Sequence, residues 1–178
     1  MSQLKGDRKP QNFRESLEIG FRGEDIVLRY LENKFPYSDI VSVRDIDYYK
    51  NIDVDAIIGN PIDGGAEFIE IKYDTTNYDC CNMFIEIVSS EKFNTPGWLF
   101  KTKADYIAYA FSERNCLIMC KTDDLKRLVA INEYKKAKAH DDNNKVSIGY
   151  LIPIQDVIRV INRYKDDYRF YDKEADMK

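Results

Sequence analysis

Two charged side chains stand two residues apart inside an otherwise apolar stretch, Phe68-Ile69-Glu70-Ile71-Lys72. Because side chains alternate across a β-strand, Ile69 and Ile71 would face one side, while Glu70 and Lys72 share the other. A carboxylate beside an ammonium group can hold a metal ion and act on water or on an anionic reacting group. An ordinary surface ion pair, which contributes little to stability, also accounts for this pattern taken alone.

A second acid stands at the start of the preceding apolar stretch. Asp55 comes directly before residues 56–58, and Asp53 lies two residues earlier. Turn signals over residues 59–65 separate this stretch from the one that carries Glu70, so the two are predicted to form a hairpin. Such a hairpin brings the two carboxyl groups together, although an acid in this position can also be a simple turn residue.

A third acid, Glu24, interrupts the apolar stripe of the first predicted helix. Its position lies inside the stripe that spacings of three and four residues direct toward the core. An unpaired carboxylate there is costly, so it must be paired, protonated or bound to a cation. Alternatively, its stem packs while its head reaches water, or a buried arginine holds it. The stripe consists of Leu17, Phe21, Leu28, Leu31 and Phe35.

The three acids would repel one another if they converged without a counter-ion. A hairpin can place Asp55 beside Glu70, and a helix packed on the same sheet can aim Glu24 at both. All-oxygen ligation at an acidic site suits Mg²⁺ or Mn²⁺ rather than zinc. With Lys72 one strand step away, the predicted chemistry is metal-assisted hydrolysis of a phosphodiester.

The composition argues against other catalytic classes. The single histidine, His140, lies in a charged stretch, so histidine-rich metal sites and Ser-His-Asp triads lack the residues they need. The sequence contains neither of the glycine-rich phosphate-binding motifs, and we expect no nucleotide cofactor. The four cysteines are predicted to be reduced thiols, with Cys116 and Cys120 acting as small core residues.

A length of 178 residues indicates one domain. The first helix is predicted from about residue 15 to the proline at 36, a second helix over residues 122–139, and a third from Pro153. The resulting order predicts an α/β fold with a mixed central β-sheet flanked by helices. The predicted strands cover residues 40–43, 55–58, 68–72, 83–88, 104–111, 116–121 and 146–152.

Both ends of the chain are predicted to lie outside the folded domain. Residues 1–14 are typical of a flexible arm and residues 169–178 of a polar tail, around a single domain over residues 15–168. The sequence has no run of eighteen apolar residues, and its first eleven residues are polar, which predicts neither a membrane span nor a secretory signal. We therefore expect a cytoplasmic protein without a membrane partner.

The order of these charged residues resembles the PD-(D/E)XK nuclease superfamily, with its restriction-endonuclease-like or Holliday-junction-resolvase-like fold. Glu24 matches the helix glutamate and Asp55 the first motif acid. The segment Glu70-Ile71-Lys72 matches the acid-x-lysine motif.

The resemblance covers about residues 16–73, and residues 20–28 resemble the opening helix of the resolvase-like and restriction-enzyme-like branches. It departs from the family pattern at Val54, where a proline usually precedes the first acid. Asp53 could supply that acid instead, and Glu86, inside another apolar strand, is either a further member of the site or an ordinary solvent-facing residue.

The resemblance implies a metal-dependent DNA endonuclease that leaves a 5′-phosphate and a 3′-hydroxyl. It implies that Asp55 and Glu70 hold Mg²⁺ or Mn²⁺ with the Ile71 carbonyl, while Glu24 completes the site or holds a second ion. Lys72 would orient or deprotonate the attacking water and offset charge on the phosphate. Because many relatives act as dimers, a homodimer is a further expectation.

Contacts to nucleic acid are predicted where Lys101 and Lys103 follow the only tryptophan, Trp98. A basic pair beside an aromatic can hold a backbone and stack on a base, but Trp98 can equally anchor the core. The predicted helix over residues 122–139 carries a basic face that is either solvated or directed at phosphates. The net charge of −4 favours an alternative, a weak or inactive nuclease-fold module that binds nucleic acid or a protein partner.

Overall fold

The computed structural model describes residues 13–60, 64–75, 82–111, 116–140, 145–164 and 170–172. It is a mixed α/β fold with two β-sheets flanked by helices, which confirms the predicted fold class. In chain order the elements are α1 (Phe13–Lys34), β1 (Asp39–Ser42), α2 (Asp47–Asn51), β2 (Ala56–Gly59), β3 (Ala66–Asp74), β4 (Asn82–Ser90), β5 (Thr95–Pro96), α3 (Trp98–Lys101), β6 (Tyr106–Phe111), β7 (Cys116–Lys121), α4 (Thr122–Ile131), β8 (Lys135–His140), β9 (Val146–Pro153), α5 (Ile154–Tyr164) and β10 (Phe170–Asp172).

The larger sheet has the strand order β1-β2-β3-β6-β7-β10. Strands β3 and β6 pair in parallel, and the other neighbouring strands of this sheet pair antiparallel. Strands β2 and β3 are antiparallel neighbours, as the predicted hairpin requires, with Ala56 opposite Ile69. This register leaves Asp55, directly before β2, beside Glu70 on the neighbouring strand.

The two faces of β3 meet different surroundings. Ile69 and Ile71 pack with Val27 and Leu31 of α1 in one buried cluster. Because side chains alternate, Glu70 and Lys72 face the opposite side, as the sequence predicted. On that side the neighbouring strand β6 contributes Ile107, Tyr109 and Phe111 to a second buried cluster.

A smaller sheet with the order β5-β4-β9-β8 supplies much of this second cluster. Met83 and Ile85 of β4 and Ile152 of β9 are fully buried in it, together with residues of α4 and α5. Cys120 is a buried free thiol in the same cluster, as predicted, whereas Cys80 and Cys81 lie outside the described residues.

Helix α1 lies against the larger sheet along Gly23, Val27 and Leu31, which are all buried. A Cβ atom at position 23 would overlap the ring of Tyr73 in β3. Glycine therefore allows the helix to approach the strand closely at the helical turn that carries Glu24.

The predicted inward stripe of α1 was wrong over the first half of the helix. Leu17 and Phe21 are 45% and 38% exposed, because the contact with the sheet is centred on Val27 instead. Glu24 is consequently at the border of the buried face, where its carboxyl group can reach a polar neighbour.

The predicted helix over residues 122–139 was also wrong, since α4 ends at Ile131. The side-chain amide of Asn132 donates to the Leu128 carbonyl at 2.9 Å, and the backbone there is extended. Residues 135–140 form the edge strand β8, which pairs antiparallel with β9. The lysines predicted on one helix therefore belong to two different elements.

Both predicted chain ends differ in part from the structure. Helix α1 begins at Phe13, inside the predicted arm, and residues 1–12 lie outside the described part. Residues 170–172 of the predicted polar tail form β10, which pairs with β7 and extends the larger sheet. None of the helices in the described ranges has the length and apolar character needed to cross a bilayer.

Candidate active site

Asp55 is held against β3 by two hydrogen bonds, one through its backbone and one through its carboxyl group. The Asp55 N–H donates to the Ile69 carbonyl at 2.9 Å, and the Ile71 N–H donates to Asp55 Oδ2 at 2.8 Å. Burial raises the pKa of Asp55, while the Lys72 ammonium and the Ile71 N–H lower it. The carboxyl group is thus held beside Glu70, at the point where β2 begins to pair with β3.

Glu70 is a buried acid whose two oxygens differ. Its side chain is 2% exposed, and Oε1 contacts the ammonium of Lys72. Oε2 is buried and has no hydrogen-bond partner among the residues that the structure describes. Burial, reinforced by the nearby Asp55 carboxylate, raises the pKa of Glu70 to about 8 against the opposing effect of Lys72. The neighbouring Glu70 side chain in turn lowers the pKa of Asp55.

Lys72 stays charged despite its surroundings. Burial disfavours the ammonium form, but the carboxylates of Glu70 and Asp55 outweigh it and raise the pKa of Lys72 above its usual range. Nζ also lies 5.4 Å from the ring centroid of Trp98. The side chain is 30% exposed, so the ammonium contacts the buried Glu70 carboxyl group and is also accessible from solvent.

Glu24 reaches this group from α1 but is held by an arginine. Its Oε2 lies 3.2 Å from Arg44 Nη1, which also lies 2.7 Å from Asp25 Oδ1. Burial and the Asp55 carboxylate raise the pKa of Glu24, whereas Arg44 and Lys72 lower it. Glu24 therefore lies within electrostatic range of Asp55 and Lys72. The sequence prediction did not name Arg44 as its partner.

No sequence motif singled out Arg44, which lies 20 residues after its partner. Its guanidinium also stacks over Phe21, 5.0 Å from the ring centroid. The one available signal was physical, since a carboxylate at the border of a buried face needs a cation.

Within the described residues, no three Asp, Glu, His or Cys side chains are arranged to hold a metal ion as they stand. Two of the predicted ligands are instead paired with cations, Glu70 with Lys72 and Glu24 with Arg44. The remaining donors are the adjacent carboxyl groups of Asp55 and Glu70, with one buried oxygen unpaired. Mg²⁺ accepts such a set, because it commonly binds one or two carboxylates and keeps several waters.

The predicted carbonyl ligand, Ile71, lies between the two charged residues of β3. Its N–H, rather than its carbonyl, makes the contact with Asp55 in this structure. A metal contact by the carbonyl stays a prediction.

The two additional acids named from the sequence lie on either side of these groups. Asp53 has a positive φ of 48° and accepts from Lys101 Nζ at 2.6 Å. Its charge contributes to the raised pKa values of Asp55 and Glu70. On β4, Glu86 Oε1 accepts from the Trp98 N–H at 3.4 Å, and Lys72 acts electrostatically on its carboxyl group.

The three residues predicted to contact nucleic acid lie in different surroundings. Trp98 is half-buried over the Lys72 ammonium, and Lys101 is paired with Asp53. Lys103 is exposed, and its backbone N–H donates to the Ile52 carbonyl at 2.9 Å. Their contact with nucleic acid stays a prediction.

A scan against protein-family models found no match, and a search of curated proteins found no relative. Among solved structures, the chain is similar to D212, described as a nuclease from a fusselovirus, with a TM-score of 0.37 and 13% sequence identity. The match covers 83% of this chain and 94% of that one. Such a distant likeness does not assign an activity, so function depends on the site itself.

Proposed function

We propose that the protein is a Mg²⁺-dependent nuclease of the PD-(D/E)XK type that hydrolyses phosphodiester bonds in DNA as an endonuclease. The observation that carries the proposal is the neighbouring carboxyl groups of Asp55 and Glu70, with Lys72 on the same strand face as Glu70. Glu70 is buried, and its Oε2 has no hydrogen-bond partner among the described residues. A buried acid with a strongly raised pKa costs stability, and such groups concentrate at functional sites.

In the proposed site, Asp55 and Glu70 hold the ion, and Mn²⁺ can replace Mg²⁺. When bound, the ion would supply Lewis-acid chemistry toward the phosphodiester. Glu70 must give up its proton to serve as a ligand, because the ionised form donates lone pairs to a cation. Glu24 Oε2 is paired with Arg44, so this acid is the less available ligand of the set.

Lys72 is the group of the chain that acts on the substrate. Its ammonium, partly accessible beside the acid pair, orients the attacking water and offsets charge on the phosphate. The water oxygen forms a bond to phosphorus as the bond to the 3′ oxygen breaks, and the 3′ oxygen takes up the proton that the water gives up. The products are a 5′-phosphate and a 3′-hydroxyl.

Cleavage assays on labelled duplex, single-stranded and branched DNA test this proposal. We expect cleavage with Mg²⁺ or Mn²⁺, none with chelator, and a loss of about 10²–10³ in rate for Asp55→Asn. Asp156→Asn is the matched control, because this partly exposed acid pairs with Arg159 on α5. Equal cleavage by wild type and Asp55→Asn would indicate a contaminating enzyme and refute the proposal.

The second candidate is a nuclease-fold module that binds nucleic acid or a protein partner without cutting. The pairing of Glu70 with Lys72 and of Glu24 with Arg44 favours it, because both acids already have cations. The net charge of −4 points the same way. Calorimetric titration separates the two, since absence of Mg²⁺ and Mn²⁺ binding supports the module.

A homodimer is a further part of the proposal, because cutting both strands of a duplex needs two sites. Sedimentation equilibrium with and without duplex DNA tests it. A mass of one chain under both conditions would contradict it.

A further inference from the structure

The chain has a single tryptophan, and its ring lies against the proposed catalytic lysine. Trp98 is the first residue of α3, and its ring centroid is 5.4 Å from Lys72 Nζ. The negative face of an indole attracts a cation at this distance, most strongly where water is partly excluded. The same ammonium also contacts Glu70 Oε1, so the lysine head has both a carboxylate and an aromatic ring as neighbours.

The backbone before the ring is fixed to β4. The Gly97 N–H donates to the Ile87 carbonyl at 2.9 Å, and the Trp98 N–H donates to Glu86 Oε1 at 3.4 Å. A Cβ atom at position 97 would overlap the backbone of Glu86, so glycine is required for this approach. The register of β4 against β9 shifts between Glu86 and Val88, at the same place.

The backbone after the ring is fixed as well. Leu99 is fully buried, and the Thr102 N–H donates to the Trp98 carbonyl at 2.9 Å. The Thr102 hydroxyl donates to the Asp53 carbonyl at 2.6 Å, which ties α3 to the segment that carries Asp55. Contacts before and after Trp98 in the chain therefore fix α3, and with it the backbone position from which the indole ring projects.

We infer that Trp98 is a positioning residue, which holds the Lys72 ammonium beside the acid pair, rather than a platform for a base. A lysine side chain has four rotatable bonds, so an ammonium that must meet water and phosphate at one point gains from a fixed neighbour. The catalytic consequence rests on the proposed function, whereas the contact itself does not.

Intrinsic fluorescence tests the contact without any activity. Because Trp98 is the only indole, its emission reports the charge above its ring, and Lys72→Met removes that charge at similar length. We expect the emission maximum or intensity to change in Lys72→Met and to stay at the wild-type value in Lys138→Met, whose lysine pairs with Glu91. Identical spectra for wild type and Lys72→Met would overturn the inference.

Steady-state cleavage tests the consequence. Trp98→Leu keeps an apolar side chain but lacks a π face, and we expect kcat to fall about 5- to 30-fold with KM for DNA unchanged. Trp98→Phe restores a ring and should recover most of kcat. Thermal melting of both variants checks that they fold.

Three other results would overturn the inference. A raised KM with unchanged kcat would instead assign Trp98 to base stacking. An unchanged kcat in folded Trp98→Leu would remove any role, and a kcat in Trp98→Phe as low as in Trp98→Leu would indicate packing alone. If wild type cleaves nothing with any metal, the proposed function fails, and the fluorescence comparison still decides whether the contact exists.

Discussion

Two lysine–glutamate pairs of this protein have the same chemistry in opposite surroundings. Lys72 and Glu70 lie on the face of β3 that meets the second core cluster, with side chains 30% and 2% exposed. Lys138 of β8 pairs with Glu91 at 2.6 Å, with side chains 55% and 43% exposed. Water screens the second pair, so it costs little and contributes little.

Burial gives the first pair properties that the second lacks. The pKa of Glu70 rises to about 8, and a second acid, Asp55, lies beside it. In the described part of the chain, one buried Glu70 oxygen has no hydrogen-bond partner. The difference teaches that a lysine–glutamate pair is informative through its surroundings. It becomes a candidate site where the strand is covered on both faces.

The largest expected difference between the pairs is in catalysis. Lys72→Ala should lower the rate of DNA cleavage by about 10²–10³, because a preorganised charge at the reacting phosphate is lost. Lys138→Ala should cleave at the wild-type rate under the same conditions. A similar loss in both variants would show that general charge, rather than the site, determines the rate.

A second difference should appear in the pH dependence of stability without metal. Glu70 binds its proton more tightly in the folded state, so between pH 4.5 and about 8 the folded protein holds more protons than the unfolded chain. The contribution of Glu70 to the free energy of unfolding should therefore be largest below pH 4.5. It should fall as the pH rises toward about 8, by at most about 1.4 kcal/mol for each pH unit.

Urea unfolding in chelator at pH 5, 6.5 and 8 measures this slope. Glu70→Gln should flatten it, because the amide does not titrate, and Glu91→Gln should leave it as in wild type. A slope that survives unchanged in Glu70→Gln would place the responsible proton elsewhere.

A smaller effect is expected from metal binding. Mg²⁺ at ten times its dissociation constant should stabilise the folded protein by about 1.4 kcal/mol, which raises Tm by roughly 3 to 6 °C. Asp55→Asn should abolish the rise, since one of two ligands is lost, and Glu91→Gln should keep it. An equal rise in Asp55→Asn would mean that the ion binds at another place.

The smallest effect concerns the exposed pair itself. Lys138→Ala should change the free energy of unfolding by less than about 1 kcal/mol, because solvent screens the pair. Chemical denaturation of this variant beside wild type gives the value. A loss of several kcal/mol would mean that exposure does not separate the two pairs as argued above.

The part of the site that lies on β2 and β3 was predictable because it depends on residues close together in the sequence. A period of two places Glu70 and Lys72 on one face, and turn signals place the Asp55 strand beside them. The structure has both features. Turn residues between two apolar runs identified the hairpin, and no distant contact was needed to predict it.

The rest depended on contacts between distant parts of the chain. The face of α1 that meets the sheet is the one where Gly23 approaches Tyr73 of β3 closely. The periodicity of the helix sequence carries no information about this contact. Arg44 and Trp98 reach their partners across 20 and 26 residues, respectively. Lysine and alanine favour a helix, yet residues 135–140 form a strand because β9 offers a partner.

The most direct test of the central claim is a crystal structure of the protein soaked with Mn²⁺, measured with anomalous diffraction. The account predicts an anomalous peak between the carboxyl groups of Asp55 and Glu70, with Lys72 Nζ displaced from Glu70 Oε1. A fully soaked crystal with no peak between these two groups would contradict it.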